Sequence, residues 1–497
     1  MKKFFIHFLF VSLLLGSCSK EDDTVLNPST GGETGNNETS NLEIEKFIYG
    51  AMNEIYLYKA DVPQLADAYF ASKAAKETYL ASFDTPEGLF YDLVSDQDRF
   101  SLIIDNYERL ENLLVGIDES NGMNYGLGRI SGTNDRFGFI RYVLPGTSAE
   151  AQGLKRGDIF TEVNGVQISD SNYRDLLFSG ESYTINVGRI VNGNIEMTEQ
   201  TVSLTGQEYS ENPIFTTNVI QREGRTIGYL KYNGFYGTPE YDTQLNAVFG
   251  DFKAQGVTDL VLDLRYNGGG YVETAIDLAS MITGQFEGQV ALREQWNEKY
   301  QNAWPEESYI TRFDNRIRTG EQINSLNLSQ VYVLATYSSA SASELVMNTL
   351  EAYIDVIHIG ENTHGKFQAS APIYDSPNLS KTNDQGQVHV NPNHKYALLP
   401  LIFKYANANG RSDFVDGLTP DIYVEEDLGN YGVLGDPEER FFKAAINNIL
   451  GYSQGELSTA TKQAASEFKF LGESKMFDPT FNKMYLEKLP EEIKIKD

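Results

Sequence analysis

The sequence predicts a multidomain α+β protein in which a helical region, a β-rich region and an α/β region follow one another. The chain has 497 residues, which is too long for one compact core. A helical period of apolar residues begins at Leu42, short apolar runs separated by glycines begin near residue 122, and strands alternate with helices from about residue 207. A hydrophobic share of 41% indicates a globular chain.

The chain is strongly acidic, with a formal net charge of −30. This charge argues against nucleic acid or an anionic membrane face as a partner, because both carry the same sign. His358, His389 and His394 do not have the spacing of metal ligands, so we expect no metal and no cofactor. The sequence sets no oligomeric state.

The first 18 residues have the layout of a bacterial signal peptide. Two lysines precede about a dozen apolar residues, and small residues precede Cys18, which is the one cysteine of the chain. "LLGSC" resembles a lipobox, which implies that Cys18 becomes the lipidated first residue of the mature protein. The alternative is ordinary cleavage beside an incidental cysteine. The acidic "SKEDD" that follows resembles a surface-export signal, so we expect a lipid-anchored protein of the cell envelope, on the periplasmic or exposed face of the outer membrane.

Two segments precede the β-rich region. Residues 19–41 are polar and almost free of large apolar groups, so they predict a flexible tether. Residues 42–115 predict a small helical domain, because five apolar residues of its first helix fall on one face: Ile44, Phe47, Ile48, Ala51 and Ile55.

Residues 116–206 contain a strand, a short helix, a second strand and a hairpin turn. The strand Phe137–Val143 meets the Pro145-Gly146 turn, and the strand Ile159–Val163 meets the Asn164-Gly165 turn. The block "PGTSAEAQGLKRGDIFTEVNG" closely resembles a PDZ domain, which implies a β-rich fold with short helices.

The stretch Tyr125-Gly126-Leu127-Gly128 lies where PDZ domains carry their carboxylate-binding loop. Glycines would let main-chain N–H groups turn toward one carboxylate, and the adjacent strand edge would accept a peptide as an extra strand. The alternative is that these glycines only make a tight turn.

Residues 207–450 predict an α/β domain, and residues 451–497 predict a peripheral helical tail. Within the α/β domain, "VYVLATYSSASASELVMNTL" indicates a buried strand followed by a helix, with serines at the turn. A helix N-terminus offers free N–H groups to developing negative charge, which suits a nucleophile. Serines at such a turn are also common as helix caps.

Four strings, one of them within this stretch, favour a nucleophilic serine over serines that only cap the helix. "DLRYNGGG" begins at Asp263, "SASASE" at Ser339, "GENTHGK" at Gly360 and "GLTPDI" at Gly417. Together with Asp98-Arg99-Phe100-Ser101, they resemble the carboxyl-terminal processing proteases (S41 serine peptidases). The resemblance covers roughly residues 42–450 and implies a ClpP/crotonase-like α/β protease domain over 207–450.

The resemblance implies a role for individual residues. Ser341 is the nucleophile, and Lys366 is its general base. The oxyanion hole is formed by the amide of Ala342 and one amide of Gly268–Gly270, with Gly269 and Gly270 as the main candidates. Ser339 and Ser343 are then structural. Burial without a carboxylate partner would lower the pKa of Lys366 from about 10.4 toward neutrality, so that the neutral amine could accept a proton.

The residue that orients Lys366 is less clear in the sequence. Many family members have a glutamine four residues after the lysine, whereas Gln368 follows Lys366 by two. Gln368 and Glu351 are both candidates. A Ser341–His364 pair is an alternative to the Ser–Lys dyad.

The sequence therefore predicts a serine endopeptidase of the cell envelope that cleaves extended or C-terminally recognised polypeptides through an acyl-enzyme. One alternative is a catalytically degenerate lipoprotein that holds peptides through its PDZ domain. Another is a surface lipoprotein that serves a larger nutrient-uptake assembly, for which the anchor is the only support.

Lipidation at Cys18 is tested by membrane fractionation. We expect Cys18→Ala to move the protein from the membrane fraction to a soluble one, or to block its maturation, because the acylated thiol is lost. A Cys18→Ala protein that fractionates with membranes as the wild type does would contradict the lipid anchor.

Overall fold

The computed structural model describes residues 42–130, 132–180, 182–452, 468–490 and 493. Cys18, the predicted signal peptide 1–18 and the predicted tether 19–41 lie outside the described residues. Within those ranges, no helix combines the length and the apolar character needed to cross a membrane.

The N-terminal region is mainly helical, as the sequence predicts. Its elements are α1 (Glu43–Ile55), α2 (Lys73–Leu80), α3 (Pro86–Asp92), β1 (Leu102–Ile104) and α4 (Tyr107–Leu114). Side-chain caps define two of the helix starts: Ser72 accepts the N–H of Ala75, and Thr85 accepts the N–H of Gly88. The buried face of α1 joins the same core as Leu230 of the α/β region, so this region packs onto its neighbour.

The PDZ region is a twisted antiparallel sheet with two short helices. Its elements are β2 (Ile117–Ser120), β3 (Met123–Ile130), β4 (Arg136–Val143), α5 (Ser148–Ala151), β5 (Ile159–Phe160), β6 (Glu162–Val163), β7 (Val166–Gln167), α6 (Tyr173–Phe178), β8 (Ser182–Val191) and β9 (Asn194–Thr205). The region has a core of its own, which includes Leu127, Ile140, Phe160 and Ile185. It also packs on the α/β region, because Phe139 and Ile159 share a second cluster with Tyr431.

The α/β region contains the remaining helices and most of the remaining strands. They are β10 (Gln207–Ser210), β11 (Ile214–Arg222), β12 (Arg225–Tyr232), α7 (Pro239–Ala254), β13 (Asp259–Asp263), β14 (Gly270–Tyr271), α8 (Val272–Thr283), β15 (Val290–Trp296), α9 (Glu298–Ala303), β16 (Ile310–Arg312), β17 (Gln330–Ala335), α10 (Ala342–Glu351), β18 (Asp355–Gly360), β19 (Gln368–Ser370), β20 (Ile373–Tyr374), β21 (Ala397–Leu399), β22 (Leu401–Ala406), β23 (Ile422–Tyr423) and α11 (Arg440–Ile449).

A six-stranded sheet in the order β11-β12-β13-β17-β18-β23 forms the centre of this region. All its neighbouring strands run parallel except β11, which is antiparallel to β12. Helices α7, α8 and α10 pack on one face, and α11 packs on the other. Parallel strands that are covered on both faces place their carboxyl ends together, which is where such folds carry their sites.

The described part of the C-terminal tail consists of strands. These are β24 (Phe468–Glu473), which pairs with β3 of the PDZ sheet, and β25 (Met484–Tyr485), which lies between β14 and β19 in a second six-stranded sheet. The prediction of a peripheral helical tail over 451–497 is therefore wrong for residues 468–490, while 453–467 lie outside the described residues. Pairing with distant strands has overridden local helix propensity.

Substitution in β25 tests whether this strand is part of the core. Met484 is fully buried, and we expect Met484→Ala to lower the free energy of unfolding in urea by about 2–5 kcal/mol, because it leaves a cavity. The control is Lys488→Ala, an exposed residue of the same segment, which should change the value by less than about 0.5 kcal/mol. Equal effects of the two variants would show that the strand packs weakly.

Candidate active site

Ser341 lies in the turn between β17 and α10, directly before the first residue of the helix. Its φ of 64° and ψ of −113° are rare for a residue with a side chain. Such strain persists only where the surrounding structure enforces it, and it is concentrated at functional sites. The Ser341 Oγ is buried and has no hydrogen-bond partner among the described residues, so it is free to react.

The neighbouring serines hold the turn in place. The Ser339 hydroxyl donates to the main-chain oxygen of Leu264 at 2.8 Å, and the Ser343 hydroxyl donates to that of Asn267 at 2.9 Å. Both bonds attach the serine turn to the segment that follows β13. The structural role predicted for Ser339 and Ser343 agrees with these contacts.

Lys366 is fully buried, and its Nζ has no hydrogen-bond partner in the described part of the chain. Its ammonium group lies 4.6 Å from the centre of the Phe100 ring. Burial, together with the nearby charge of Lys483, holds the pKa of Lys366 well below its usual range. A lysine in this environment is neutral at a pH where an exposed lysine is charged.

The carboxylate of Glu344 binds the main chain of both reactive residues. One of its oxygens accepts the N–H groups of Ser341 at 2.7 Å and Lys366 at 2.9 Å. The other accepts the N–H of Gly365 at 2.7 Å and the hydroxyl of Thr363 at 2.5 Å. Burial raises the pKa of Glu344 to about 7, and its four donors act in the opposite direction. Because Ser341 and Lys366 share one acceptor atom, their main chains lie close together.

The two reactive side chains do not hydrogen-bond to each other in this structure. Catalytic hydrogen bonds are often long without substrate and shorten only when substrate binds. In this structure the Ser341 hydroxyl and the Lys366 amine therefore lie on adjoining segments, and no hydrogen bond joins them.

The predicted oxyanion donors differ in their availability. The N–H of Gly269 donates to the side-chain oxygen of Asn267 at 2.9 Å, so the prediction of Gly269 as a free donor is wrong for this structure. Gly269 supplies space instead, because a Cβ there would lie 2.6 Å from the Ser341 Cβ. A Cβ on Gly270 would lie 2.2 Å from the main-chain oxygen of Phe235. The roles of Ala342, at the start of α10, and of Gly270 stay predictions.

Neither candidate for orienting Lys366 hydrogen-bonds to it. Glu351 is exposed and forms an ion pair with Arg411 at the far end of α10, so that prediction is wrong. The Gln368 amide nitrogen donates to the hydroxyl of Tyr58 at 3.0 Å, and its Oε1 is buried without a partner among the described residues. The role of Gln368 stays a prediction. The ring of Phe100, from the "DRFS" string, is the group that covers the ammonium of Lys366.

The His364 ring lies between two aromatic rings. Its centroid is 4.9 Å from that of Tyr337 and 6.1 Å from that of Phe100, and its Nδ1 lies 3.4 Å from the side-chain nitrogen of Asn482. Burial and the charge of Arg99 lower the pKa of His364 to about 4. Neither His364 nor Lys366 hydrogen-bonds to the Ser341 Oγ, so the Ser341–His364 alternative stays open.

The stretch 125–128 lies in the middle of β3 and is not a loop. It pairs with β4 on one side and β24 on the other. A Cβ on Gly126 would lie 2.2 Å from the ring of Phe139, and one on Gly128 would lie 2.6 Å from the ring of Phe137. The predicted carboxylate-binding loop of Tyr125, Gly126, Leu127 and Gly128 is therefore wrong. Its glycines make room for phenylalanine rings, and the strand edge predicted to accept a peptide is paired with β24.

Two residues of the tail lie at the site and were missed by the sequence analysis. A Cβ on Gly268 would lie 2.9 Å from the side-chain oxygen of Asn482, and one on Gly269 would lie 2.9 Å from the main-chain oxygen of Lys483. The Lys483 ammonium donates to the main-chain oxygen of Phe100. No motif marks 482–483, and only the folded chain brings them here.

An open cavity of about 810 Å³ lies between the PDZ strands and the serine turn. Its walls include Phe139 and Arg141 of β4, Tyr337 and Ser338 of the turn, and Phe470 of β24. No cluster of three or more His, Cys, Asp or Glu within the described ranges could hold a metal ion. The candidate site thus contains a hydroxyl, an amine and main-chain amides, and the cavity is lined by Tyr337 and Ser338 of the same turn.

Comparison with known proteins agrees with this construction. The Peptidase S41 N-terminal domain matches residues 43–102, the PDZ domain matches 116–175, and Peptidase family S41 matches 226–424. These matches confirm the predicted order of N-terminal domain, PDZ domain and protease domain.

Individual relatives are distant in sequence. A carboxyl-terminal-processing protease of Picosynechococcus sp. is 22% identical over 312 residues, which are 61% of this chain and 64% of that protein. The protein of the same name from Synechocystis sp. is 23% identical over 316 residues, with shares of 62% and 64%. The chain thus spans less than two thirds of the length of these relatives.

A solved structure shows the fold more completely. A Bacteroides fragilis NCTC 9343 protein assigned to the S41 proteases has a TM-score of 0.63 and 26% identity, over 85% of this chain and 99% of that one. Fold and site together define the class of PDZ-containing serine peptidases. Within that class, the chain belongs to peptidase family S41.

The ionisation of His364 is tested by titration. We expect its ring resonances to titrate near pH 4, because burial disfavours the imidazolium ion. A folded-state pKa below the unfolded value of 6.5 also means that this residue's contribution to stability is complete above pH 6.5 and is lost as the pH falls toward 4. NMR with His364→Asn as the assignment control measures this, and titration near pH 6.5 would contradict it.

Proposed function

We propose that the chain is a serine endopeptidase of the carboxyl-terminal-processing type, with Ser341 as nucleophile and Lys366 as general base. The observation that carries this proposal is the pairing of a strained, unpartnered serine with a buried, unpartnered lysine on segments that one carboxylate holds together. The names of the curated relatives support the same chemistry.

In this mechanism the neutral amine of Lys366 accepts the proton of the Ser341 hydroxyl as the Oγ attacks the scissile carbonyl carbon. The amide of Ala342 at the start of α10 stabilises the oxyanion, with Gly270 as its candidate partner. The lysine then protonates the leaving amine, and an acyl-enzyme forms on Ser341. Water, deprotonated by the same lysine, hydrolyses that ester and regenerates the hydroxyl.

The substrate is an extended polypeptide. The cavity lies between the PDZ strands and the serine turn. Strand β3 already accepts β24 as an added strand, which is the mode in which extended peptides bind to a sheet. Recognition of the substrate C-terminus is part of the proposal, because the relatives are named for processing at that end.

The proposed location is the cell envelope, with the chain tethered through a lipid on Cys18. Its support is the lipobox-like "LLGSC" and the polar segment 19–41 that follows it.

Substitution of the dyad tests the catalytic proposal. We expect Ser341→Ala and Lys366→Ala each to abolish cleavage of casein while circular dichroism stays native, and the double variant to be no worse than either single, because the two groups act as one unit. Lys366→Arg should also be inactive, since guanidinium stays protonated. The wild-type rate should rise with pH, with an apparent pKa below the usual 10.4, as Lys366 loses its proton.

His364→Ala separates the two possible bases. The Ser–Lys proposal expects most activity to remain in this variant, because His364 packs against rings and does not contact the nucleophile. If His364→Ala is inactive and Lys366→Ala is active, the base is the histidine. If the wild type and Ser341→Ala both leave casein intact while the chain binds peptides, it is the degenerate binding protein.

A further inference from the structure

The chain's own residues 468–477 cover the peptide edge of its PDZ domain. Strand β24 adds to β3 in antiparallel register, with Phe470 opposite Gly128 and Glu473 opposite Gly126. The N–H of Ser474 then donates to the main-chain oxygen of Tyr125 at 2.9 Å. The added strand lies where a bound peptide would lie in strand addition.

A buried carboxylate anchors this segment between the PDZ domain and the serine turn. Glu473 accepts a hydrogen bond from the Arg141 guanidinium at 2.6 Å and one from the Ser338 hydroxyl at 2.9 Å. Arg141 also donates to the Ser338 oxygen at 3.0 Å, which closes a triangle of contacts. Arg141 and Glu473 are only 3% and 6% exposed. Ser338 precedes the nucleophile Ser341 by three positions, so the anion site adjoins the catalytic turn.

Two more contacts extend the anchor. The Lys475 ammonium forms an ion pair with buried Glu211 at 2.7 Å. The Phe477 ring packs on α6, with its centroid 4.7 Å from that of Phe178 and 6.4 Å from that of Tyr173. The segment therefore presents an acidic, a basic and an aromatic side chain to three complementary positions.

We propose that Arg141 and Ser338 form a carboxylate receptor for a bound polypeptide, and that residues 468–477 are an intramolecular ligand which a substrate must displace. This inference rests on the proposed function of the Ser341 site. The ligand it predicts is an extended polypeptide with a carboxylate for Arg141, followed by a cationic and an aromatic side chain.

The packing indicates which part of the tail can leave. Strand β24 lies at the edge of its sheet and has one neighbour, β3, and the side chains of Lys469 and Phe470 are exposed. Strand β25, in contrast, lies between β14 and β19, and Met484 is fully buried. Displacement is therefore confined to the segment before residue 478, while β25 stays in its sheet.

A ligand in the same chain has a large advantage over one in solution. A short tether gives an effective concentration of about 1 mM. A segment with an intrinsic Kd of about 10 µM would then weaken binding of a free peptide to the same groove by about 100-fold. A substrate could then displace residues 468–477 from β3 only if it is concentrated or carries the matching acidic, basic and aromatic side chains.

A reversible cross-link tests displacement. Arg129 and Lys469 are register partners in β3 and β24, and directly opposed residues of antiparallel strands have the Cα separation of a disulfide. We expect the double variant Arg129→Cys/Lys469→Cys, when oxidised, to cleave casein at least 10-fold more slowly than when reduced. The two single variants, which both retain Cys18, should not respond to oxidation.

The outcomes separate this inference from the proposed function. An oxidised double variant as active as the reduced one would show that the segment need not move. Failure of the cysteines to cross-link would show that the two strands are not paired as described. If the wild type and the reduced variant are both as inactive as Ser341→Ala, the proposed function has failed, and the binding experiment then decides the inference alone.

Peptide binding is measured in the Ser341→Ala background, where nothing is cleaved. The probe is the fluorescently labelled peptide FKFLGESKMFD, which is residues 468–478. We expect Glu473→Gln, which breaks the contact with Arg141, to raise the affinity for this peptide at least 10-fold by loosening the segment in the chain. The matched control is Glu487→Gln in the same tail, whose side chain pairs with Arg318 and should not affect binding.

A second peptide tests whether Arg141 and Ser338 require a negatively charged carboxylate on the bound peptide. In the Glu473→Gln chain, the probe with glutamine in place of its glutamate should bind at least 10-fold more weakly than the original, because only the original supplies a carboxylate to Arg141. Equal affinity for the two probes would overturn the receptor. If Glu473→Gln, like Glu487→Gln, binds the original probe with the same affinity as the Ser341→Ala background, residues 468–477 are not an intramolecular ligand.

Discussion

The carboxylate of Glu344 holds together the two segments that carry the proposed catalytic residues, Ser341 and Lys366. It is buried and accepts four hydrogen bonds, three of them from main-chain N–H groups of Ser341, Gly365 and Lys366. Buried amides without partners are costly, so the two segments that carry these N–H groups are held on one side chain. Thr363 links Glu344 to a further segment. Its hydroxyl donates to Glu344, and the oxygen of the same hydroxyl accepts the N–H of Leu418. Three motifs that are far apart in the sequence, those that contain Ser341, Lys366 and Leu418, therefore lie close to the side chain of Glu344.

The same burial that fixes the geometry also sets the charge state of the lysine. The Lys366 Nζ has no hydrogen-bond partner among the described residues, and it lies over the ring of Phe100. A second amine, that of Lys483, donates to the main-chain oxygen of Phe100, and burial lowers the pKa of Lys483 to about 8. Two amines in one dry region repel each other as cations, which favours the neutral form of at least one. The tail therefore contributes to the electrostatics of the site as well as to its walls.

The sequence predicted the segments that form the candidate site and missed the tail. The strand, turn and helix around Ser341 leave a pattern in consecutive residues, whereas the roles of Ser341 and Lys366 rest on the resemblance to the family's motifs and stay predictions. Gln368 was a candidate by that resemblance although its spacing from Lys366 differs, and its side chain donates to Tyr58 on the N-terminal region. Strands β24 and β25 were missed because their partners lie far away in the chain and their own residues do not alternate clearly. Pairing of that kind depends on the surfaces that meet, and no short string encodes it.

The position of β25 has a consequence for biosynthesis. This strand separates β14 from β19 inside the second sheet, and the two residues before it, Asn482 and Lys483, lie beside Gly268 and Gly269. A chain that emerges from its amino end can form the central parallel sheet before the tail is made, because its strands end at Tyr423. The side of the candidate site next to Gly268 and Gly269, and the gap between β14 and β19, are filled only when residues 482–485 have been made.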